Sequence, residues 1–198
     1  DMYRCEYLVG AGGTYCPVYQ QFFRELYPRH EASRVVAMEE EFQCDFPEDD
    51  CHLWFSRHQL PGYAWYLPKA DGYLNIGIGG FQEKLHRNGD TLKRHWQFFM
   101  GELEQRSLVK DHTFHPRGYS YFVRGNERFR MKGNAVVTGD AAGLATRDMG
   151  EGIGPAVSSG LLAAGALLSG KELSYCSVQK YSLPPWLAWS ARSLAFFP

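Results

Sequence analysis

The chain has 198 residues, of which 44% are hydrophobic, 15% aromatic and 22% charged, with a formal net charge of −1. That composition excludes a disordered chain, and the balanced charge excludes a dedicated nucleic-acid surface, which needs clustered Lys and Arg. No run of about 18 apolar residues is present, so no membrane-spanning helix is expected.

In chain order, residues 3–9 (YRCEYLV) predict a short strand ending in the glycine cluster Gly10-Ala11-Gly12-Gly13, where glycine permits a tight turn. Residues 17–27 have helical apolar spacing, with Pro17 in the first turn, where its missing N–H costs little. Residues 34–46 and 52–56 predict strands. The clearest hairpin joins residues 62–69 (GYAWYLPK) to residues 73–79 (YLNIGIG) through an Asp71-Gly72 turn. Residues 91–108 predict a helix with Asp90 as N-cap and Leu92, Trp96, Phe99 and Leu103 on its apolar face. Residues 114–123 and 128–132 predict further strands, with Gly125-Asn126 as a turn.

The last unit is the most informative. Residues 134–138 (NAVVT) predict a buried strand that runs into Gly139-Asp140-Ala141-Ala142-Gly143. After a loop through Thr146, Arg147, Asp148 and Met149, a second glycine set (Gly150, Gly152, Gly154) opens a small-residue helix over residues 155–168, stopped by Gly170. The tail, residues 183–198, is apolar and Trp-rich. It is expected to pack onto another part of the protein, with contact at a membrane surface as the alternative.

A buried strand, a glycine turn and a helix N-terminus form a natural site for an anionic group, because the first helical N–H groups lack internal partners and the helix dipole is positive there. Asp140 cannot neutralise a phosphate; it is placed to accept hydrogen bonds from ribose hydroxyls or to orient turn amides. Ordinary close helix–strand packing is the competing reading of the same glycines. Five cysteines (Cys5, Cys16, Cys44, Cys51, Cys176) are an odd number without C-x-x-C spacing, so free thiols of a reducing, cytoplasmic compartment are expected and no metal site. His112 and His115 read as surface histidines, Cys16 as a small buried hydrophobe, and residues 45–51 as a solvated acidic loop. No G-x-S-x-G, P-loop or H-E-x-x-H motif occurs.

The run VVTGDAAGLATRDMGEGIGPAVSSGLLAAGAL resembles the "GD" motif and following helix of the geranylgeranyl reductase family, within the flavoproteins built like p-hydroxybenzoate hydroxylase. The resemblance implies that Gly139 and Asp140 meet the ribityl–pyrophosphate part of FAD. It also implies that Gly150, Glu151, Gly152 and Ile153 bring backbone amides to the pyrimidine side of the isoalloxazine. YRCEYLVGAGGTYCPVY is similar to the family's "GADG" segment, so Gly12 and Gly13 would lie beside the cofactor, with Gly12 standing where Asp is common. PGYAWYLPKADGYLNIGIG resembles the family's substrate-domain signature: Tyr63 and Trp65 would face an apolar substrate, while Gly77 and Gly79 allow close chain approach. Two half-buried aromatics and two bulge glycines are the structural alternative. The loop Arg147-Asp148-Met149 departs from the Pro-x-x-Gly-Glu-Gly pattern common in relatives.

The expected fold is α/β: a partial FAD-binding (Rossmann-like) domain in residues 1–30 and 125–170, interrupted by a mostly antiparallel substrate-binding sheet in residues 31–124, then an apolar segment in residues 171–198. The resemblance implies a flavin-dependent reductase of isoprenoid double bonds, with NAD(P)H or another reductant as electron donor and no assignable catalytic residue. A monooxygenase or halogenase on the same scaffold is one rival, although Tyr63 occupies the first Trp position of the halogenase W-x-W-x-I-P box. A non-catalytic flavoprotein remnant is the other. No G-x-G-x-x-G follows an N-terminal strand, so the chain is expected to carry half of a FAD site and to need a missing N-terminal half or a partner chain.

Overall fold

A computed structural model describes residues 4–45, 49–126 and 131–184. In chain order the strands and helices are β1 (Leu8–Gly10), β2 (Arg34–Gln43), β3 (His52–Phe55), β4 (Gly62–Pro68), β5 (Tyr73–Phe81), α1 (Gln82–Arg87), α2 (Leu92–Gln105), β6 (Arg117–Phe122), β7 (Ala135–Val137) and α3 (Ile153–Ser169). The chain divides into two compact units, Asp1–Ser33 with Tyr121–Pro198, and Arg34–Ser120. Mixed α and β structure, with one parallel sheet and one antiparallel sheet, is the fold class expected from the sequence.

In the first unit β1 and β7 pair in parallel, Leu8 opposite Ala135 and Gly10 opposite Val137. Bonds from Leu8 N to Asn134 O (2.9 Å) and from Thr138 N to Gly10 O (3.0 Å) extend the ladder at both ends. β1 was expected over residues 3–9; it is confined to the three residues that β7 can pair. Residues 17–27 do not form a regular α-helix. A π-helical turn over Tyr19–Phe23, closed by Arg24 N to Tyr19 O (2.9 Å), buries both Tyr19 and Phe23. Those rings, Cys16, the strand β7 and Ala163 and Ala166 of α3 share one core cluster.

Two side chains lock this core. Ser159 Oγ accepts from Gly139 N (2.9 Å) and donates to Ala156 O (3.0 Å), which pins α3 to the end of β7. Tyr175 Oη donates to Val137 O (2.6 Å), and burial pushes its phenol well up from the ordinary value. The buried Arg124 guanidinium donates to Val178 O and Tyr175 O. Leu173, Tyr175 and Val178 therefore belong to this core, and the chain beyond residue 170 begins as part of the first unit. Most of the apolar tail lies outside the described residues. Among the described residues no helix is long and apolar enough to cross a membrane.

The second unit is a five-stranded sheet in the order β3-β4-β5-β2-β6, in which β3 with β4, β4 with β5 and β5 with β2 pair antiparallel. The β4–β5 hairpin turns through Asp71 (φ 60°) and Gly72 (φ 72°), the left-handed pair that an Asp-Gly turn supplies. Because strand side chains alternate, Ala64, Tyr66, Leu74, Ile76 and Ile78 share one face, and they bury it with Trp96, Phe99, Met100 and Leu103 of α2. The N-cap of α2 is Thr91, whose Oγ1 accepts from Arg94 N (3.3 Å), and not Asp90, whose carboxylate accepts from Thr91 N one step earlier (2.7 Å). The helix stops at Gln105, before the expected residue 108, because Leu108 N turns back to Leu103 O (2.9 Å) and Ser107 is left-handed (φ 56°).

The short helix α1 was not anticipated; its one buried residue, Leu85, joins the same core. β6 begins at Arg117 and not at residue 114, since Phe114 packs edge-on against Trp96 and Phe42. His112 corrects its surface assignment: it is half-buried, stacked on Phe42 at 3.7 Å, with Nε2 2.8 Å from Glu40 Oε1. His115 is exposed. The strand expected over residues 128–132 falls largely outside the described residues; Lys132 forms a single bridge with Ala135.

Urea unfolding checks the helix assignments. Thr91→Ala should cost about 1 kcal/mol as a lost cap. Leu103→Ala, at a side chain with no exposed surface, should cost about 2–5 kcal/mol.

Candidate functional site

The parallel register places the ends of β1 and β7 side by side, so the turns that follow them are neighbours. After β1, Gly12 is exposed and Gly13 is half-buried. After β7, Gly139 and Asp140 start a 3-10 turn over Gly139–Ala142. Arg29 ties the two turns together: its guanidinium donates to Thr14 O, to Asp140 O (3.2 Å) and to Ala141 O (3.0 Å), and lies 3.8 Å over the Tyr19 ring. Nothing in the sequence singles out Arg29, because its partners are backbone carbonyls that no motif displays.

Asp140 and α3 face each other closely. A side-chain carbon built on Gly152 would lie 3.3 Å from Asp140 Oδ1, so a side chain there would crowd the carboxylate. Burial holds the Asp140 carboxyl above its ordinary 3.8, and the positive charge of Arg29 pulls it back. Among the described residues the carboxylate accepts no hydrogen bond.

The run from Met149 to Gly154 holds six amides, and the protein satisfies four of them itself. Met149 N donates to Asp148 Oδ1 (2.8 Å), Gly150 N to Thr146 O (3.1 Å), Glu151 N to Thr146 Oγ1 (3.0 Å) and Gly154 N to Glu151 Oε1 (2.8 Å). Gly152 N and Ile153 N have no partner among the described residues. Gly150 (φ 64°) sits where any side chain would run into the Tyr121 hydroxyl, so glycine is required twice over.

In the second unit, the face of the sheet turned away from α2 carries the other site residues. Its cross-strand rows are Phe55, Tyr63, Gly79 and Ala37, then Leu53, Trp65, Gly77 and Glu39. Phe55, Tyr63 and Trp65 form an aromatic row with centroids 5.6 and 5.7 Å apart. Phe55 and Leu53 are exposed, Tyr63 is half-buried and Trp65 is buried. The Trp65 indole lies over Gly77, where a methyl group would collide with it, and reaches to within 3.7 Å of a carbon built on Gly79. Gly77 therefore serves close approach of the indole ring, whereas a carbon on Gly79 would make only ordinary contacts.

No family model matches the chain. Digeranylgeranylglycerophospholipid reductase 2 of Methanosphaera stadtmanae is 31% identical over 114 residues, 58% of this chain and 28% of that protein. Menaquinone reductase of Mycolicibacterium smegmatis is 33% identical over 123 residues, 60% of this chain and 29% of that protein. A geranylgeranyl bacteriochlorophyll reductase-like crystal structure from Thermoplasma acidophilum superposes with a TM-score of 0.66 at 22% identity, covering 96% of this chain and 46% of that one. In sequence the chain is similar to these two reductases, and in fold to the Thermoplasma acidophilum structure. It spans less than half the length of these relatives. The flavin-dependent halogenase CmlS shares the fold as well, with a TM-score of 0.59 at 17% identity over 94% of this chain and 34% of that one.

The two departures from the geranylgeranyl reductase-like pattern have local causes. A side-chain carbon on Gly12 would come within 3.3 Å of Cys16 Cα, so an Asp there would press on the backbone of this turn. In the loop before α3, Asp148 accepts from Ser182 N (2.8 Å) and Leu183 N (2.7 Å), while Thr146 Oγ1 bonds Ser182 Oγ (2.8 Å) and Arg147 N donates to Lys180 O (2.9 Å). Arg147 and Asp148 thus fasten the segment after the core onto the loop that carries Gly150.

The Asp140 environment has a measurable consequence. A carboxyl whose folded pKa is raised stays protonated in the folded protein at pH values where the unfolded chain has already released its proton. Stability therefore falls as pH rises from the ordinary 3.8 through the folded value. Asp140→Asn removes that loss, so its melting temperature should exceed that of the parent chain at neutral pH, with the difference shrinking toward zero below 3.8. A constant difference across the pH range would contradict the assignment.

Proposed function

We propose that this chain is part of a flavin-dependent oxidoreductase. In this reading the first unit holds part of FAD, and the second unit's aromatic face receives an apolar, isoprenoid-like substrate whose carbon–carbon double bonds are reduced. The observation that carries it is the set of unpaired groups at the start of α3: the Asp140 carboxylate, Gly152 N and Ile153 N, gathered around a glycine gap. This set fits FAD. The carboxylate accepts from sugar or ribityl hydroxyls, and two amides at the positive end of a helix donate to an electron-rich ring edge. When bound, FAD supplies the redox step, replenished by NAD(P)H or another reductant.

The chain's own residues bind and orient. Arg29 keeps the Gly12–Gly13 and Gly139–Asp140 turns at a fixed spacing, and Ser159 fixes the start of α3 against Gly139. Phe55, Tyr63 and Trp65 offer an apolar, water-excluding surface of the kind a polyprenyl chain needs. The names of the relatives, reductases of digeranylgeranylglycerophospholipid and of menaquinone, support an isoprenoid-bearing substrate. The halogenase-like fold neighbour leaves an oxygen-using reaction as the second reading, against which stands Tyr63 in the first Trp position of the halogenase box.

The same reading proposes a cover for α3. Ile153, Val157, Leu161 and Leu168 are 81%, 60%, 71% and 90% exposed and recur at helical spacing, so they form a bare apolar stripe. Further dinucleotide-binding structure, on a longer chain or on a partner chain, is the proposed occupant, and it would supply the G-x-G-x-x-G half of the FAD site. The apolar tail supports a peripheral contact with the membrane that holds such a substrate.

Two measurements test this. Titrated alone, the chain should bind FAD weakly, and Asp140→Ala should weaken binding by about another tenfold, one hydrogen bond's worth. Incubated anaerobically with FAD, dithionite and a geranylgeranyl lipid, the intact protein should add one H2 per reduced double bond by mass spectrometry. NAD(P)H-driven oxygen uptake without hydrogen gain would favour the oxygenase, and inertness in both assays the non-catalytic remnant. On a sizing column the isolated chain should self-associate through the stripe, and Val157→Glu with Leu161→Lys should return it to monomer; a clean monomer at high concentration counts against the proposed cover.

A further inference from the structure

We propose that Asn75 is a positioning residue that holds the Trp65 indole flat across Gly77, making Trp65 the fixed floor of the substrate face. The inference rests on the reading of that face as the substrate surface and adds the device that shapes it. Trp65 and Asn75 are 9% and 8% exposed, and Trp65 Nε1 donates to Asn75 Oδ1 at 2.7 Å. A buried indole N–H needs an acceptor, and this is the acceptor it has.

The orientation of the Asn75 amide is itself determined. Its Nδ2 donates to Glu41 Oε2 at 3.3 Å, and Glu41 in turn pairs with the Lys69 ammonium. A carboxylate only accepts, so Glu41 demands the NH2 end of the amide and turns the carbonyl end toward Trp65. The chain Lys69–Glu41–Asn75–Trp65 crosses three neighbouring strands, β4, β5 and β2, in which Asn75 stands opposite both Leu67 and Glu41. Gly77, the register partner of Trp65 and of Glu39, lacks the side chain that would lift the ring off the sheet.

The lane of small residues Ala37, Gly77 and Gly79 is consequently not an open channel. An indole covers its middle, with Tyr63 inclined at 51° to it as a side wall. A substrate chain meets a flat π surface at a set depth. Were the indole free to swing, the lane would deepen by the thickness of a ring and accept bulkier groups. Asn75 thereby determines which shapes the face admits.

The test uses the indole N–H signals of the 15N-labelled chain, five in all, with the Trp65 signal identified by its loss in Trp65→Phe. In the parent chain this proton should exchange slowly with water. Asn75→Leu should accelerate that exchange at least about tenfold. Glu41→Leu, at an exposed position that does not threaten folding, should accelerate it to a smaller extent. The exchanged pair Asn75→Asp with Glu41→Gln restores acceptor and donor in reversed chemistry and should restore protection. Unchanged exchange in Asn75→Leu and Glu41→Leu, or failure of the exchanged pair to rescue, overturns the role of Asn75. In a second arm geranylgeraniol is added: it should shift the Trp65 signal of the parent chain, and about tenfold more should be needed for Asn75→Leu. Equal affinity of the two chains overturns Asn75 as a determinant of the face. A Trp65 signal silent to geranylgeraniol overturns the substrate reading, whatever the exchange data give.

Discussion

Everything at the candidate cofactor site depends on a parallel pairing only three residues long, between strands far apart in the chain. Parallel register is what matters: it brings the C-terminal ends of β1 and β7 to one edge, so both glycine turns open on the same side. A ladder this short contributes little by itself, since each hydrogen bond is worth about 0.5–1.5 kcal/mol net. Its stability comes from what is fastened to it. Val136 and Val137 are almost wholly buried, Tyr175 ties β7 to the segment after α3, and Arg29 adds charge-assisted bonds to carbonyls of both turns. Placing a guanidinium there costs desolvation, which lowers its pKa, and the nearby Tyr19 and Asp140 partly offset that.

The sheet of the second unit solves a different problem with the same alternation. One face is an ordinary core against α2. The other combines large rings with glycines that carry no side chain, beside Glu39, Glu41 and Asn75 on the same face. Gly77 and Gly79 would weaken a sheet if their only effect were missing side-chain contacts. Here the missing volume is filled by Trp65, whose polar edge is satisfied by Asn75, so the face gains a rigid aromatic surface without a buried unpaired N–H.

Sequence periodicity made the hairpin at Asp71-Gly72, the apolar face of α2, the strand before Gly139 and the helix after Gly152 legible, because each is a local pattern. It failed where the deciding partner is distant. The N-cap of α2 moved one residue because Asp90 and Thr91 are both good caps and only geometry chooses between them. The π turn at Tyr19 and the burial of His112 follow from packing against Val137 and Phe42 neighbourhoods that no window contains. At the site itself glycines and Asp140 could be singled out by type and spacing, while Arg29, Ser159, Asp148 and Asn75 could not. Arg29, Ser159 and Asp148 act largely on backbone, which leaves no signature in a sequence, and Asn75 acts on side chains of the two neighbouring strands, whose register a local window does not show.

Which amides remain free also bears on what the start of α3 can hold. Helix N-termini are commonly read as phosphate sites, but here Glu151 caps Gly154 N and places a carboxylate within the first turn. That charge offsets much of the positive helix end, so a dianionic phosphate gains little from it and is repelled by Glu151 and Asp140 together. A neutral, hydrogen-bonding ring edge suffers no such repulsion and still finds two donors in Gly152 N and Ile153 N. If it gathers negative charge only when reduced, those two donors strengthen at that stage, when their help matters most. On the proposed reading, the internal satisfaction of the other four amides works in the same direction: it leaves fewer donors for a free anion at this turn.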